Sequence, residues 1–109
     1  MKTFLSFLLF VPFLLGAEVL RVGGVDFHYR IPEKYDAESK IMVLFGGRNW
    51  QGEKSLKTYN FNDLADKYRV FLLSPSFKDR DYWEPEKWSG KLLQKAVRQI
   101  EKRYNLQPQ

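Results

Sequence analysis

Five consecutive apolar residues, Ile41-Met-Val-Leu-Phe45, run straight into the pair Gly46-Gly47. A short unbroken apolar run predicts a strand buried on both faces, which occurs inside a parallel sheet covered by helices. The chain is therefore read as α/β. Two glycines at the end of such a strand let the backbone turn tightly and bring its amides close to a bound anion. That is the chemistry of an oxyanion hole, with Gly46, Gly47 and Arg48 as the candidate loop. Asn49 and Trp50 follow directly, either as part of a substrate rim or as plain turn residues.

The neighbouring segments are read from the same periodicities. Val25, Phe27 and Tyr29 alternate with Asp26, His28 and Arg30, the period of a half-buried strand. Gly23-Gly24 before them predicts a two-residue hairpin to an antiparallel strand starting near Val19. Gln51 to Ser55 reads as a polar loop, with or without a helical turn. Phe61, Leu64, Ala65 and Tyr68 fall at i, i+3, i+4 and i+7, so a helix capped by Asn60 is expected to bury this stripe. Val70 to Leu73 predicts a second buried strand, parallel to the first across that helix. In the last helix Ser89 is the expected cap and Leu92, Leu93, Ala96, Val97, Ile100 and Tyr104 the buried face. Asn105 is expected to take the left-handed position that ends it.

The ends and the composition narrow the class. Met1-Lys2-Thr3 precedes an apolar run from Phe4 to Leu15 broken only by Ser6 and Pro12, and Gly16-Ala17 follow. A basic start, an apolar core short for a bilayer and small residues at its end read as a secretory signal peptide over residues 1–17. The alternative is an uncleaved anchor, because Leu15 is not a small residue. Residues 18–109 then form a single domain that is secreted or periplasmic. With no cysteine and one histidine, neither a disulfide, a thiol nucleophile nor a structural zinc site is expected. The net charge of +5 is dispersed, which argues for a solvated basic surface and against nucleic acid as a partner.

The motifs Val43-Leu-Phe-Gly-Gly47, Leu64-Ala-Asp66, Ser74-Pro75, Tyr82-Trp83 and Tyr104-Asn-Leu106 occur in an order that resembles the first half of the α/β-hydrolase fold. Within that superfamily the chain is similar to secreted esterases of the polyhydroxyalkanoate depolymerase and feruloyl esterase kind. The resemblance implies an antiparallel hairpin, parallel strands with crossover helices, and an incomplete sheet. It also implies a small-molecule or polymer ester as substrate, without a cofactor. The strand after the last helix in such enzymes carries the Gly-x-Ser-x-Gly elbow, with the acid and histidine beyond it. Position 109 comes before that elbow. Ser39, Ser55, Ser74, Ser76 and Ser89 all lack its glycine frame, and His28 precedes the oxyanion loop instead of following it. Phe45 stands where the family often has histidine, which leaves the amide donors of the loop untouched.

The expected function is thus the amino-terminal portion of a secreted ester hydrolase, inactive alone because nucleophile, acid and histidine are missing. Its strand at Ile41 to Phe45 would be an open edge, inviting self-association. The alternative is a small secreted module that binds carbohydrate or protein through Tyr82, Trp83 and Trp88, aromatics that otherwise pack over the sheet. Asp79-Arg80-Asp81 offers two carboxylates but no third oxygen ligand at set spacing, so it reads as a polar loop and no metal is expected. His28 is read as an outward-facing strand residue.

Overall fold

The computed structural model describes residues 17–46, 51–78 and 88–109. Its first strands are β1 (Ala17–Val22) and β2 (Val25–Arg30), paired antiparallel with Val22 opposite Val25. Between them Gly23 and Gly24 both hold positive φ, at 59° and 81°, which is the two-residue turn that suits the right-handed twist of a hairpin. A Cβ on Gly23 would also lie 2.5 Å from a Leu92 methyl, so this turn is closed to larger residues from two directions. Val25, Phe27 and Tyr29 are buried and their neighbours only partly so, as the alternation requires.

Of the two strands expected to be buried on both faces, the second alone is. Three more elements lead to it: β3 (Ile41–Val43), α1 (Gly52–Tyr59) and α2 (Asn62–Tyr68), followed by β4 (Phe71–Pro75). Every residue of β4 is buried. It pairs antiparallel with β2 and parallel with β3, so the sheet order is β1-β2-β4-β3. The expectation that Ile41 to Phe45 is buried on both faces is therefore corrected, while its edge position is the one expected of it. The strand spans three residues at the sheet edge, and Met42 and Phe45 are 43% and 45% exposed. An apolar run reports the affinity of side chains for a core, whereas position in the sheet depends on which strands arrive on each side.

The crossover is also richer than predicted. Gln51 to Ser55 lies largely within α1, whose Ser55 is fully buried. Asn60 does not start a helix but ends one: it sits at φ 51° and its N–H donates to the Leu56 carbonyl. Of the expected α2 stripe Ala65 is buried and Phe61 partly so, but Leu64 and Tyr68 are 54% and 63% exposed. Among the described residues nothing covers this side of α2, which stands beside the edge strand.

The last helix, α3 (Ser89–Arg103), buries Leu92, Ala96 and Ile100, with Leu93, Val97 and Tyr104 packed against the same core. Ser89 is its first residue, not its cap, and no side chain caps that end. Asn105 adopts the left-handed conformation expected of it, at φ 57°. Leu72 shares a cluster with Leu44 and Ala65, while Phe71 and Leu73 share one with Phe27, Tyr29 and α3. Successive β4 residues face opposite sides. The sheet therefore has α3 on one face and α1 and α2 on the other.

Polar contacts fasten both layers. Arg30 on β2 donates two hydrogen bonds, of 2.8 and 2.9 Å, to the carboxylate of Asp66 on α2, which also accepts from the Glu33 N–H. The guanidinium and then this amide hold the Asp66 carboxyl below its ordinary pKa, against the opposing effect of burial. On the other face the Tyr29 and Tyr104 hydroxyls lie 3.0 Å apart, and Arg103 donates to the Tyr29 oxygen. Burial, and then the bond to Tyr29, push the Tyr104 phenol above its usual range.

Two outcomes follow for stability. A Cβ at Gly52 would collide with the Ser74 carbonyl oxygen and stand 2.9 Å from the His28 ring, so Gly52→Ala should destabilise the fold by about 2 kcal/mol in urea titration. Because the folded pKa of Asp66 is depressed, its contribution is present above the ordinary carboxylate range and is lost as pH falls through the folded value. The stability gap between wild type and Asp66→Asn should be widest near neutral pH and close below about pH 4.

Candidate functional site

The carboxyl ends of β3 and β4 lie together at one end of the sheet, because the two strands are parallel. Gly46 leaves the first and Ser76 the second. Since β2 runs antiparallel to β4, its start and the Gly23-Gly24 turn come to this same end. Helices α1 and α3 also begin here, each after a connection from a strand's carboxyl end. In open α/β sheets this is the end where ligands bind.

A cleft of about 360 Å³ opens there, walled by Arg21, Asp26, Gln51, Ser76, Lys78 and Trp88 beside the two hairpin glycines. Backbone bonds fix its floor: the Ser76 N–H donates to the Asp26 carbonyl at 2.9 Å, and the Gly52 N–H to the Ser76 hydroxyl at 2.8 Å. Arg21 donates to the Asp26 carboxylate at 2.7 Å, at an exposed position where such a pair adds little stability. Trp88 is 45% exposed and offers an indole surface in a wall whose other apolar side chain is Val25. The arrangement can hold a ligand with both hydroxyl groups and an apolar face.

Several residues singled out from the sequence fall outside the described segments: Gly47, Arg48, Asn49, Trp50, Asp79, Arg80, Asp81, Tyr82 and Trp83. Of the oxyanion loop Gly46 is described, partly buried at the carboxyl end of β3. The carbonyl of Phe45 before it accepts a 2.8 Å hydrogen bond from the Tyr59 hydroxyl, which ties the loop entry to α1. Trp88 is the member of the aromatic set that the structure brings to the cleft. Arg21, Asp26, Gln51, Ser76 and Lys78 were not candidates, because only the antiparallel placement of β2 gathers them.

His28 is not outward-facing. It stands opposite Ser74 in the ladder, on the face that α1 covers, and is half-buried beneath Gly52. The nearby serines have structural partners. Ser74 is fully buried and its hydroxyl donates to the Leu44 carbonyl at 2.6 Å, fastening β4 to the exit of β3. Ser39 accepts from the Asp36 N–H, and the Ser55 hydroxyl lies 3.4 Å from the Gln51 carbonyl within its own helix. Among the described residues no serine joins His28 and an acid in a catalytic relay. Within the same residues no three histidine or carboxylate side chains converge as a metal site, and no helix is long and apolar enough to cross a membrane.

No protein-family model matches this chain, and neither the curated proteins nor the solved structures contain a match to it.

Ser74→Ala should leave the Leu44 carbonyl without its donor inside the sheet and cost about 1–3 kcal/mol. The corresponding chemical outcome is that fluorophosphonate treatment followed by peptide mass spectrometry finds no adduct on Ser74.

Proposed function

We propose that this chain is the amino-terminal portion of a secreted α/β-hydrolase, a carboxylic-ester hydrolase by ancestry that is inactive without its catalytic residues. The observation that carries the reading is the sheet order β1-β2-β4-β3, an antiparallel hairpin joined to two parallel strands. Gly46 leaves the carboxyl end of β3, where an oxyanion loop belongs in that fold. In the complete enzyme the backbone amides around Gly46, Gly47 and Arg48 would face the oxygen of a tetrahedral intermediate. The serine, acid and histidine would come from sequence beyond position 109.

The course of the carboxyl-terminal tail supports this placement. The Gln107 N–H donates to the Ala37 carbonyl, and the Gln109 side chain bonds the Ser39 carbonyl and the Ile41 N–H. These contacts ascend together along both segments. The tail thus runs parallel to the approach to β3, in the direction that a strand beside β3 would take.

A second reading has its own observation, the half-exposed Trp88 in the wall of the polar cleft. It is a secreted module that holds carbohydrate against that indole. Stacking of a sugar face on tryptophan, with Asp26, Gln51 and Ser76 as hydrogen-bonding groups, is the chemistry such a cleft can provide.

Two experiments separate these readings. Translation of the genomic DNA beyond codon 109 in all three frames should reveal a strand followed by Gly-x-Ser-x-Gly, then an acid and a histidine. Joined to that segment the protein should hydrolyse p-nitrophenyl esters, and alone it should not. The absence of such a segment in every frame would overturn the hydrolase reading. Titration with cello-, xylo- and chito-oligosaccharides tests the other: saturable tryptophan quenching that Trp88→Ala abolishes supports it, and unchanged fluorescence rejects it.

A further inference from the structure

The outer face of α3 carries one sign of charge. Lys91, Lys95, Arg98 and Lys102 follow one another at intervals of four, three and four residues. At about 100° per helical residue they fall within an arc of about 60°. All four are exposed, on the side opposite Leu93, Ala96 and Ile100, which face the core. They form a single file about 16 Å long at the helical rise. Gln94 and Gln99, also exposed, flank the file on either side.

Such a file works against the helix that carries it. Each cation repels the next, three or four residues on. Lys91 also lies in the first turn, where the helix dipole disfavours a cation and no acidic residue offsets it. Helix-end electrostatics favour Lys102 alone of the four, since it stands in the last turn. The other helices are balanced: Glu53 of α1 pairs with Lys57 at 3.8 Å, and Asp63 of α2 precedes Lys67 by four residues. The one acid of α3, Glu101, is buried and accepts a hydrogen bond from the Gln109 N–H. Among the described residues no carboxylate forms an ion pair with the file. Burying four unpaired cations is prohibitive, so this face stays at the surface whatever the rest of the chain contributes.

We propose that the outer face of α3 binds a linear acidic polysaccharide, one whose carboxylate or sulfate groups recur along an extended chain. The file is one cation wide, which suits a polymer strand better than a plane of charge. Neighbours on it stand about 5–6 Å apart, close to the length of one sugar unit. The carboxamides of Gln94 and Gln99 can donate to and accept from the hydroxyl groups between the charges. A helix that lies on a membrane needs apolar residues beside its cations, and α3 turns its apolar residues inward. Single-stranded nucleic acid is held by aromatic side chains on which bases stack, and α3 has none. The inference rests on neither functional reading: it concerns α3 and not the cleft at Trp88 or the loop at Gly46.

Isothermal titration calorimetry of the purified chain with polygalacturonate, dextran sulfate and neutral dextran tests it. The expected result is saturable binding of at least one acidic polymer, weakened by added salt, and none of dextran. Which acidic polymer binds distinguishes carboxylate from sulfate recognition. Lys95→Ala with Arg98→Ala should weaken binding about tenfold or more. Lys34→Ala with Lys40→Ala removes the same charge from exposed positions elsewhere and should leave the affinity as it was. Because the α3 substitutions relieve repulsion and place alanine in a helix, that variant should melt no lower than wild type. Lys91→Gln with Lys102→Gln, at the two ends of the file, provides a second loss of binding at other positions. Three results would overturn the proposal: no binding of either acidic polymer, equal weakening by the α3 and control pairs, or tighter binding of DNA or phosphatidylglycerol vesicles in the same buffer. Ester hydrolysis by a completed chain, or sugar stacking on Trp88, bears on the function readings and leaves this test unaffected.

Discussion

The structure depends on a single strand with two unlike neighbours. β4 accepts an antiparallel partner in β2 and a parallel one in β3, and all five of its residues are buried. Every buried backbone amide and carbonyl has to find a partner, and a strand in this position meets that need on both sides. Its alternate side chains supply both cores: Phe71 and Leu73 pack toward α3, and Leu72 toward Leu44 and Ala65. Ser74 adds a hydroxyl bond across to Leu44, so the polar side chain within this buried strand is satisfied. Removing β4 would divide the sheet, leaving β2 and β3 each without the strand they share.

Its mixed pairing also determines where chemistry can occur. Parallel pairing with β3 sends both carboxyl ends to one side, and antiparallel pairing with β2 brings the glycine hairpin there as well. The cleft with Asp26, Ser76 and Trp88 is the product of these two orientations. The opposite consequence falls on β3, which among the described residues has a strand partner on one side only. Its outer neighbours are the carboxamide of Gln109 and the hydroxyl of Tyr59, two side chains standing in for a strand. The same side of the molecule has the exposed apolar surface of Met42, Leu64 and Tyr68.

Much of the fold was legible in the sequence. The hairpin at Gly23-Gly24, the alternation of Val25 to Tyr29, the parallel crossover from Ile41 to the strand at residue 71, the inner face of α3 and the left-handed Asn105 follow from local rules of period and backbone preference. The candidate site was legible in part. Trp88 was identified because an aromatic in a polar segment is conspicuous, whereas Arg21, Gln51 and Lys78 are ordinary surface residues until the sheet assembles around them. Asn60 was read as a helix start, and it ends one, because asparagine suits either a cap or a left-handed residue.

Except at α1, where a polar stretch predicts a loop, the sequence by itself determined the type of each element and which residues of it are apolar, since these depend on residues within a few positions of one another. Tertiary structure decided the rest. Ile41 to Phe45 is the more continuously apolar of the two runs, yet the arrival of β2 beside Phe71 to Pro75 made the latter central and left the former at the edge. Leu64 and Tyr68 lie on the predicted stripe yet remain exposed, because a helix buries a face only where a neighbour stands opposite it. Adjacency is a property of chain crossings that no local pattern encodes.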